Sequence, residues 1–240
     1  MFEVFSIVVK ITAVISLYNE EEVIDEFSQR LLKSLRALPL DYEVIFVVEG
    51  SDGTLDKVNS LAKTDQRIKV DYNEKRLGLG IATKKGLGMV PSDSDLVLTM
   101  DSDLNHDPEE IIQLLDASKQ ADIVVGSRLK SRSFVTELPW FKRMVSATTN
   151  WVLRNGFGMN TGDITSGFRI YSTKAVESVR DDLISKNFEV TAELLIRAKK
   201  KGFSIIEVPI TFTRRPRGNS KLSFVKSGVG YLNLLIRLGL

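Results

Sequence analysis

Between residues 11 and 125 the chain switches repeatedly between two hydrophobic rhythms, and this alternation constrains its fold more than any other feature. Residues 11–17, 43–48, 96–100 and 123–125 are short, mostly apolar runs, and 68–72 is a short segment in which apolar and charged residues alternate. They read as strands, with 11–17 and 43–48 apolar enough to be buried. Between them the apolar positions move to three- and four-residue spacing. Val23, Ile24, Phe27, Leu31, Leu35 and Leu38 predict an amphipathic helix that Pro39 stops. Residues 55–62 and 81–89 predict two more helices. Asp107-Pro108-Glu109-Glu110 predicts a helix start, with a capping Asp, Pro in the first turn and acids beside it. Such a βαβα order implies an α/β fold, with a mostly parallel central sheet and helices on both faces.

In a sheet of this kind ligands sit beyond the carboxyl ends of the strands. Tyr18, Glu49, Asp101 and Gly126 each follow a predicted strand, so they are expected to share one edge. After residue 130 the pattern is less regular. Residues 140–154 and 188–201 read as helices and 204–213 as a strand. A basic loop over 214–221 follows. We expect one α/β body over residues 1–222 and an amphipathic C-terminal segment over 223–240.

Several chemistries are excluded early. The chain has no cysteine and one histidine, His106, so disulfides, thiolate zinc sites and a multi-histidine cage are out. No GxxxxGK[ST] phosphate loop is present. Gly78-Leu79-Gly80-Ile81-Ala82-Thr83 imitates a dinucleotide-binding turn, but Thr83 replaces the third small residue and Gly78 lies too far from its strand. Residues 1–17 are interrupted by Glu3 and Lys10 and read as a buried strand rather than a signal peptide. No run of 18 uninterrupted apolar residues exists.

The formal net charge of +2 conceals a division. Residues 1–122 hold 13 Lys+Arg against 23 Asp+Glu, a net of −10; residues 123–240 hold 20 against 8, a net of +12. An acidic half suits a cation and a basic half suits an anion or a membrane surface. Asp101-Ser102-Asp103 follows a strand directly, so its two carboxylates can turn to one site. They suit a hard divalent ion such as Mg²⁺ or Mn²⁺, which keeps places for phosphate oxygens. His106 is expected to make local hydrogen bonds. Lys199-Lys200-Lys201 is expected to be a solvated helix end.

Six short signals fall in a fixed order: Ser16-Leu17-Tyr18-Asn19-Glu20, Val48-Glu49-Gly50-Ser51-Asp52-Gly53-Thr54, Met100-Asp101-Ser102-Asp103-Leu104-Asn105-His106, Gly126-Ser127-Arg128, Thr165-Ser166-Gly167-Phe168-Arg169 and Gly218-Asn219-Ser220-Lys221. Together they resemble glycosyltransferase family two, in its dolichyl-phosphate (polyprenyl-phosphate) mannosyltransferase-like branch. The resemblance runs from about residue 11 to 222. It implies a GT-A-like nucleotide-binding sandwich and inverting, metal-dependent transfer of a hexose, mannose favoured, from a nucleoside-diphosphate sugar to a polyprenyl or dolichyl phosphate.

By position, the resemblance assigns Ser16, Leu17, Tyr18, Glu20, Val47, Glu49, Asp101, Ser102 and Asp103 to the donor, with GDP-mannose favoured. It assigns Asp101, Asp103 and Asn105 to Mg²⁺ or Mn²⁺. Asp103, Arg128, Arg215 and Lys221 would serve catalysis, and Lys142, Arg143, Ser146 and Arg169 the acceptor phosphate. Ser16, Glu49 and Asn105 depart from the family's usual Pro, Asp and Gln. The implied partners are a nucleotide sugar, a polyprenyl phosphate and a membrane surface, with no nucleic acid. The implied location is cytoplasmic, peripheral at the membrane face.

Two other readings stay open. A sugar-hydroxyl acceptor, or a different donor such as UDP-glucose, would keep the fold. A hydroxyl would need a placed base, for which Asp163 is the candidate. A catalytically silent regulatory member of the fold is the alternative of another class.

Overall fold

The computed structural model describes residues 9–130, 140–213 and 224–239, without the side chains of residues 130, 141, 142 and 224–227. Seven strands form one sheet in the order β3-β2-β1-β4-β6-β5-β7. They are β1 (Lys10–Tyr18), β2 (Asp41–Glu49), β3 (Ile68–Asn73), β4 (Leu96–Thr99), β5 (Ile123–Ser127), β6 (Arg169–Ser172) and β7 (Ile205–Pro209). β6 runs antiparallel to both β4 and β5, and the remaining neighbours pair in parallel. The expected α/β sandwich stands.

Alternation along β1 shows why both faces carry helices. Ile11, Ala13, Ile15 and Leu17 pack on one side with Val23, Ile24, Phe27, Leu31 and Leu35. Val14 packs on the other side with Ala82 and Leu87. The first face is covered by α1 (Ile24–Arg36), α2 (Thr54–Thr64) and α4 (Ile111–Ala117). The second is covered by α3 (Leu79–Gly88), α5 (Trp140–Gly156), α6 (Thr173–Val179), α7 (Val190–Lys200) and α8 (Phe224–Leu238). Each apolar residue that α1 buries contributes roughly 1.5–3 kcal/mol of transfer free energy, an upper estimate. The chain runs β1, β2, β3 outward and then returns to β4 on the far side of β1. That reversal places the topological switch point between β1 and β4, the crevice where open α/β sheets bind ligands.

Some expectations need correction. The strand expected over 204–213 ends at Pro209, and Thr211 leaves the sheet to donate its N–H to Glu110 at 2.9 Å. β6 and α6 escaped the sequence reading, because four and seven residues carry too little periodicity. Lys200 and Lys201 are not merely solvated: Lys200 donates to the carbonyl of Leu238 at 2.5 Å and Lys201 pairs with Asp182. The Asp107 cap is present, accepting from Glu109 N at 2.9 Å, though its first turn is 3-10. The buried strand expected within residues 1–17 is β1 from Lys10 onward, and residues 1–8 lie outside the described residues.

Candidate active site

The turn after β1 interlocks with the turn after β2. Asn19 adopts φ 50°, a left-handed conformation that Asn tolerates. Its Oδ1 accepts from Ser51 N at 3.2 Å. Gly50 sits at φ 103°, and a Cβ there would lie 1.9 Å from that oxygen. Only glycine fits. Glu20 N donates to Thr54 Oγ1 at 2.8 Å, fixing the start of α1 against α2. Beside this turn Glu49 is buried. Its Oε2 accepts from Gly78 N at 3.2 Å, while Oε1 has no partner among the described residues. Arg76 lies over the Tyr18 ring, 4.4 Å from the centroid, a cation–π contact. Sequence reasoning missed Arg76 and the Gly78 amide. The signal was available: both lie between β3 and α3, at the same sheet edge.

Gly78 and Gly80 explain the false dinucleotide turn. A Cβ at Gly78 would lie 2.4 Å from Lys186 O, and one at Gly80 2.2 Å from Ser185 O. The glycines admit protein backbone there. Leu17 and Val47, expected at the donor, are 1% exposed and belong to the two opposite cores. Their side chains pack inside the sheet, so neither reaches the edge. Ser16, in contrast, lines a recess with Thr83, Thr99, Asp101 and Gly167.

Asp101 and Asp103 stand just past β4, across the switch point from Tyr18. The Asp101 side chain is 44% exposed. Gly167 comes against it, where a Cβ would lie 3.0 Å from the carboxylate. Asp103 accepts from Asn105 N at 3.1 Å and Asn105 Nδ2 at 2.9 Å. Leu104 between them is left-handed at φ 63°, a strain of roughly 1–2 kcal/mol for a side chain of this type. The loop is held by burial of Leu104 and by Thr213, which donates from N to Asn105 O at 3.0 Å. Ser102 is buried at 5% exposure.

His106 corrects its expectation. It is 1% exposed, packed tilted against Phe168 and edge-on to Phe212, and neither ring nitrogen has a hydrogen-bond partner among the described residues. Burial, with the Arg128 charge adding to it, pushes its pKa down to about 4. It is a neutral packing residue.

Arg128, past β5, faces a second set of acids. Its Nε and Nη2 donate to Asp163 at 2.9 and 2.7 Å, its own N–H adds a bond of 2.8 Å, and Nη2 reaches Thr165 Oγ1 at 2.8 Å. Burial pushes the Asp163 carboxyl up, but the Arg128 charge outweighs it and holds the group below the usual carboxylate range. Burial likewise disfavours the Arg128 charge, and Asp163 more than restores it. Glu207 Oε1 accepts from the N–H groups of Gly162 and Asp163, both at 2.7 Å. Asn150 of α5 accepts from Ile164 N at 2.7 Å. Glu207 and Asn150 carried no sequence signal, since their partners are backbone groups far along the chain.

Asp163 is therefore no general base, because both its oxygens are engaged and it is fully buried. Arg169, expected at an acceptor phosphate, is 0% exposed. It donates to Ile164 O at 2.6 Å, Thr191 O at 2.5 Å and Tyr171 OH at 3.2 Å, tying the site loop to α7. A phosphate does not reach it from the edge. Arg143 and Ser146 lie partly exposed on α5. Arg215, Lys221 and the side chain of Lys142 lie outside the described residues.

The oxygen set fits a hard cation. Asp101 and Asp103 offer carboxylates, and the buried Asn105 Oδ1 has no partner among the described residues. Among those residues no three His, Cys, Asp or Glu side chains gather as a closed metal cage. A site of two acids leaves positions for ligand oxygens.

Comparisons with known proteins agree with this arrangement. The sequence matches Glycosyl transferase family 2 over residues 12–180. It is 37% identical over 216 residues to a polyprenol monophosphomannose synthase of Mycolicibacterium smegmatis, covering 88% of this chain and 80% of that protein. It is 32% identical over 217 residues to an undecaprenyl-phosphate mannosyltransferase of Micrococcus luteus, covering 89% and 88%. In fold it resembles a Mycobacterium tuberculosis glucosyl-3-phosphoglycerate synthase, solved with Mn²⁺, UDP-glucose and glycerol 3-phosphate. That likeness has TM-score 0.61 and 22% identity, covering 95% of this chain and 78% of that one. It also resembles a Pyrobaculum calidifontis mannosyltransferase solved with GDP-Man and Mn²⁺, with TM-score 0.62 and 15% identity, covering 95% and 64%. The two structural neighbours are GT-A glycosyltransferases, and this chain shares their fold. From the six ordered motifs, the pair of partly exposed acids at the switch point and these matches it follows that the chain belongs to glycosyltransferase family two and is a glycosyltransferase.

Proposed function

We propose that the enzyme transfers mannose from GDP-mannose to a polyprenyl phosphate, with inversion at the anomeric carbon. The observation that carries the acceptor choice is the state of Asp163. A hydroxyl nucleophile needs a base, and the one candidate is buried, doubly bonded to Arg128 and depressed in pKa. A phosphate monoester needs none, being anionic at neutral pH with a second pKa of about 6. The names of the two sequence relatives support the same choice.

In this reading the turn of Tyr18, Glu49 and Arg76 takes the nucleotide, and Asp101, Asp103 and Asn105 hold Mg²⁺ or Mn²⁺. When bound, the ion supplies charge neutralisation for the leaving diphosphate. Arg128 is held by Asp163 at the same edge, where its charge faces the developing anion. Arg215 and Lys221 of the basic loop, with Lys142, Arg143 and Ser146 of α5, would meet the phosphates. Direct displacement by the acceptor oxygen inverts the anomeric centre, and no side-chain nucleophile is required. The reading treats residues 1–222 as the catalytic body and 223–240 as an appended segment that meets the membrane face.

Surface chemistry supports that last element. On α8, Val229, Leu232 and Ile236 are exposed at one helical stripe, and on α5 so are Trp140, Met144, Val145 and Trp151. Arg237 lies beside the first stripe. Such helices lie in an interface, where Trp is favoured. No helix among the described residues is long and apolar enough to cross a membrane.

The test is one assay. The enzyme, Mn²⁺ and anionic vesicles carrying a polyprenyl phosphate are incubated with GDP-mannose, UDP-glucose and other nucleotide sugars, and the lipid product is identified. A mannosyl phospholipid made from GDP-mannose, in a yield that falls at high salt, is expected. Transfer only to a sugar hydroxyl would overturn the acceptor. Tight nucleotide binding with no transfer to any acceptor would favour the silent member of the fold.

A further inference from the structure

Residues 184–187 form a wedge between the donor pocket and α8. On one side lies the turn that opens α3. Gly80 N donates to Lys186 O at 3.0 Å, and Gly78 and Gly80 lack the Cβ atoms that would strike Lys186 O and Ser185 O. Gly78 N in turn donates to Glu49 Oε2. The wedge therefore sets the amide that holds the Glu49 carboxylate.

On the other side two glutamates of the α7 region clamp the wedge. Glu193 accepts from Ile184 N and Ser185 N and is itself held by Arg197 at 2.7 Å. Glu189 Oε1 accepts from Lys186 N and Asn187 N, both at 3.1 Å. Glu189 differs from Glu193 in its second oxygen. Oε2 has no partner among the described residues although the residue is 5% exposed. What covers it is Gly230 of α8, where a Cβ would lie 2.7 Å from that oxygen. Glycine is the poorer helix former; the space taken by the carboxylate accounts for it here.

We propose that Glu189 is a positioning residue through which the seat of α8 sets the donor pocket. This rests on the reading that the Glu49 turn takes the donor nucleotide. With α8 seated, Glu189 is confined and holds Lys186 and Asn187. When α8 shifts, Oε2 becomes hydrated, the carboxylate is released, the wedge relaxes and Gly78 withdraws from Glu49. α8 also presents Val229, Leu232 and Ile236 outward, so whatever engages that stripe acts on donor binding through the same contact.

The experiment is calorimetric titration of GDP and of UDP with Mn²⁺, without acceptor or vesicles, in wild type, Gly230→Ala, Glu189→Gln, Glu189→Ala and the Gly230→Ala/Glu189→Ala double variant. Gly230→Ala, which touches no donor residue, should weaken nucleotide binding about fivefold, and Glu189→Ala about tenfold, as expected for coupled neighbours. Glu189→Gln should stay within about twofold, since its amide oxygen still accepts the two N–H groups. The double variant should be no weaker than Glu189→Ala alone. A merely structural role would lower the bound stoichiometry and leave the dissociation constant unchanged, which would overturn the proposal. So would additive effects in the double variant. If Glu189→Ala does not fold, Gly230→Ala and Glu189→Gln decide. If wild type binds neither nucleotide, the donor reading fails and the proposal falls with it; unaltered binding in Gly230→Ala sinks the positioning role alone.

Discussion

Two pairs of carboxylates meet at the same sheet edge and are built in opposite ways. Asp101 and Asp103 follow a parallel strand, and the Asp101 side chain is 44% exposed. Their described bonds are local, within a loop strained at Leu104. Asp163 is 0% exposed and bonded on both oxygens by Arg128, and Glu207 holds the backbone beneath it. The contrast separates two uses of one residue type. On the proposed function, the acids that would meet a ligand stand partly exposed at the edge, with bonds to their own loop, while the architectural acids are buried and bonded to groups far along the chain.

The comparison can be broken at each pair. The largest effect is expected for Asp103→Asn, which should lower transfer at least a thousandfold, about 4 kcal/mol, and leave the melting temperature unchanged. A large loss of melting temperature would instead place Asp103 with the architectural acids. Asp163→Ala should do the reverse, removing about 3–5 kcal/mol of stability by stranding the Arg128 charge, as read by urea unfolding. The same variant sharpens the pH dependence. The Asp163 pKa is depressed in the fold, so its contribution is present above the unfolded value near 3.9 and is lost as pH falls below it. Asp163→Ala should flatten stability in that acidic range; an unchanged slope would contradict the assignment. The smallest effect is expected for Gly167→Ala. Its Cβ would press the Asp101 carboxylate at 3.0 Å, and an exposed carboxylate can yield, so transfer should fall about fivefold, roughly 1 kcal/mol. No loss at all would show that Asp101 has room to spare.

What could be read from the chain divides at about residue 130. Before it, β1, β2, β4 and β5 are apolar runs, β3 alternates, α1 is a clear amphipathic stripe, and β1 to β5 lie within two residues of expectation. The acid pair was legible because its carboxylates are two residues apart and follow a strand. Beyond residue 130 the decisive contacts join distant positions: Arg128 to Asp163, Glu207 to Gly162, Arg169 to Thr191. No local pattern encodes them. Arg169 was misassigned for this reason, since an arginine that is buried and bonded to two backbone carbonyls looks in sequence like any surface arginine. His106 was misread because its two phenylalanine neighbours are 62 and 106 residues away along the chain.

The antiparallel insertion of β6 has a consequence for how the chain is made. β4 ends at residue 99 and β5 at residue 127, yet the strand that joins them spans 169–172. During synthesis at about 5–20 residues per second, β4 waits roughly 4–15 seconds for that partner. For that interval a nascent sheet of four parallel strands carries one open ladder of amide and carbonyl groups at its centre-to-be. An open ladder is a template for pairing with another chain. Closure of the β4–β6 seam also brings Gly167 against Asp101, so the event that ends the exposure sets one wall of the acid pair's recess.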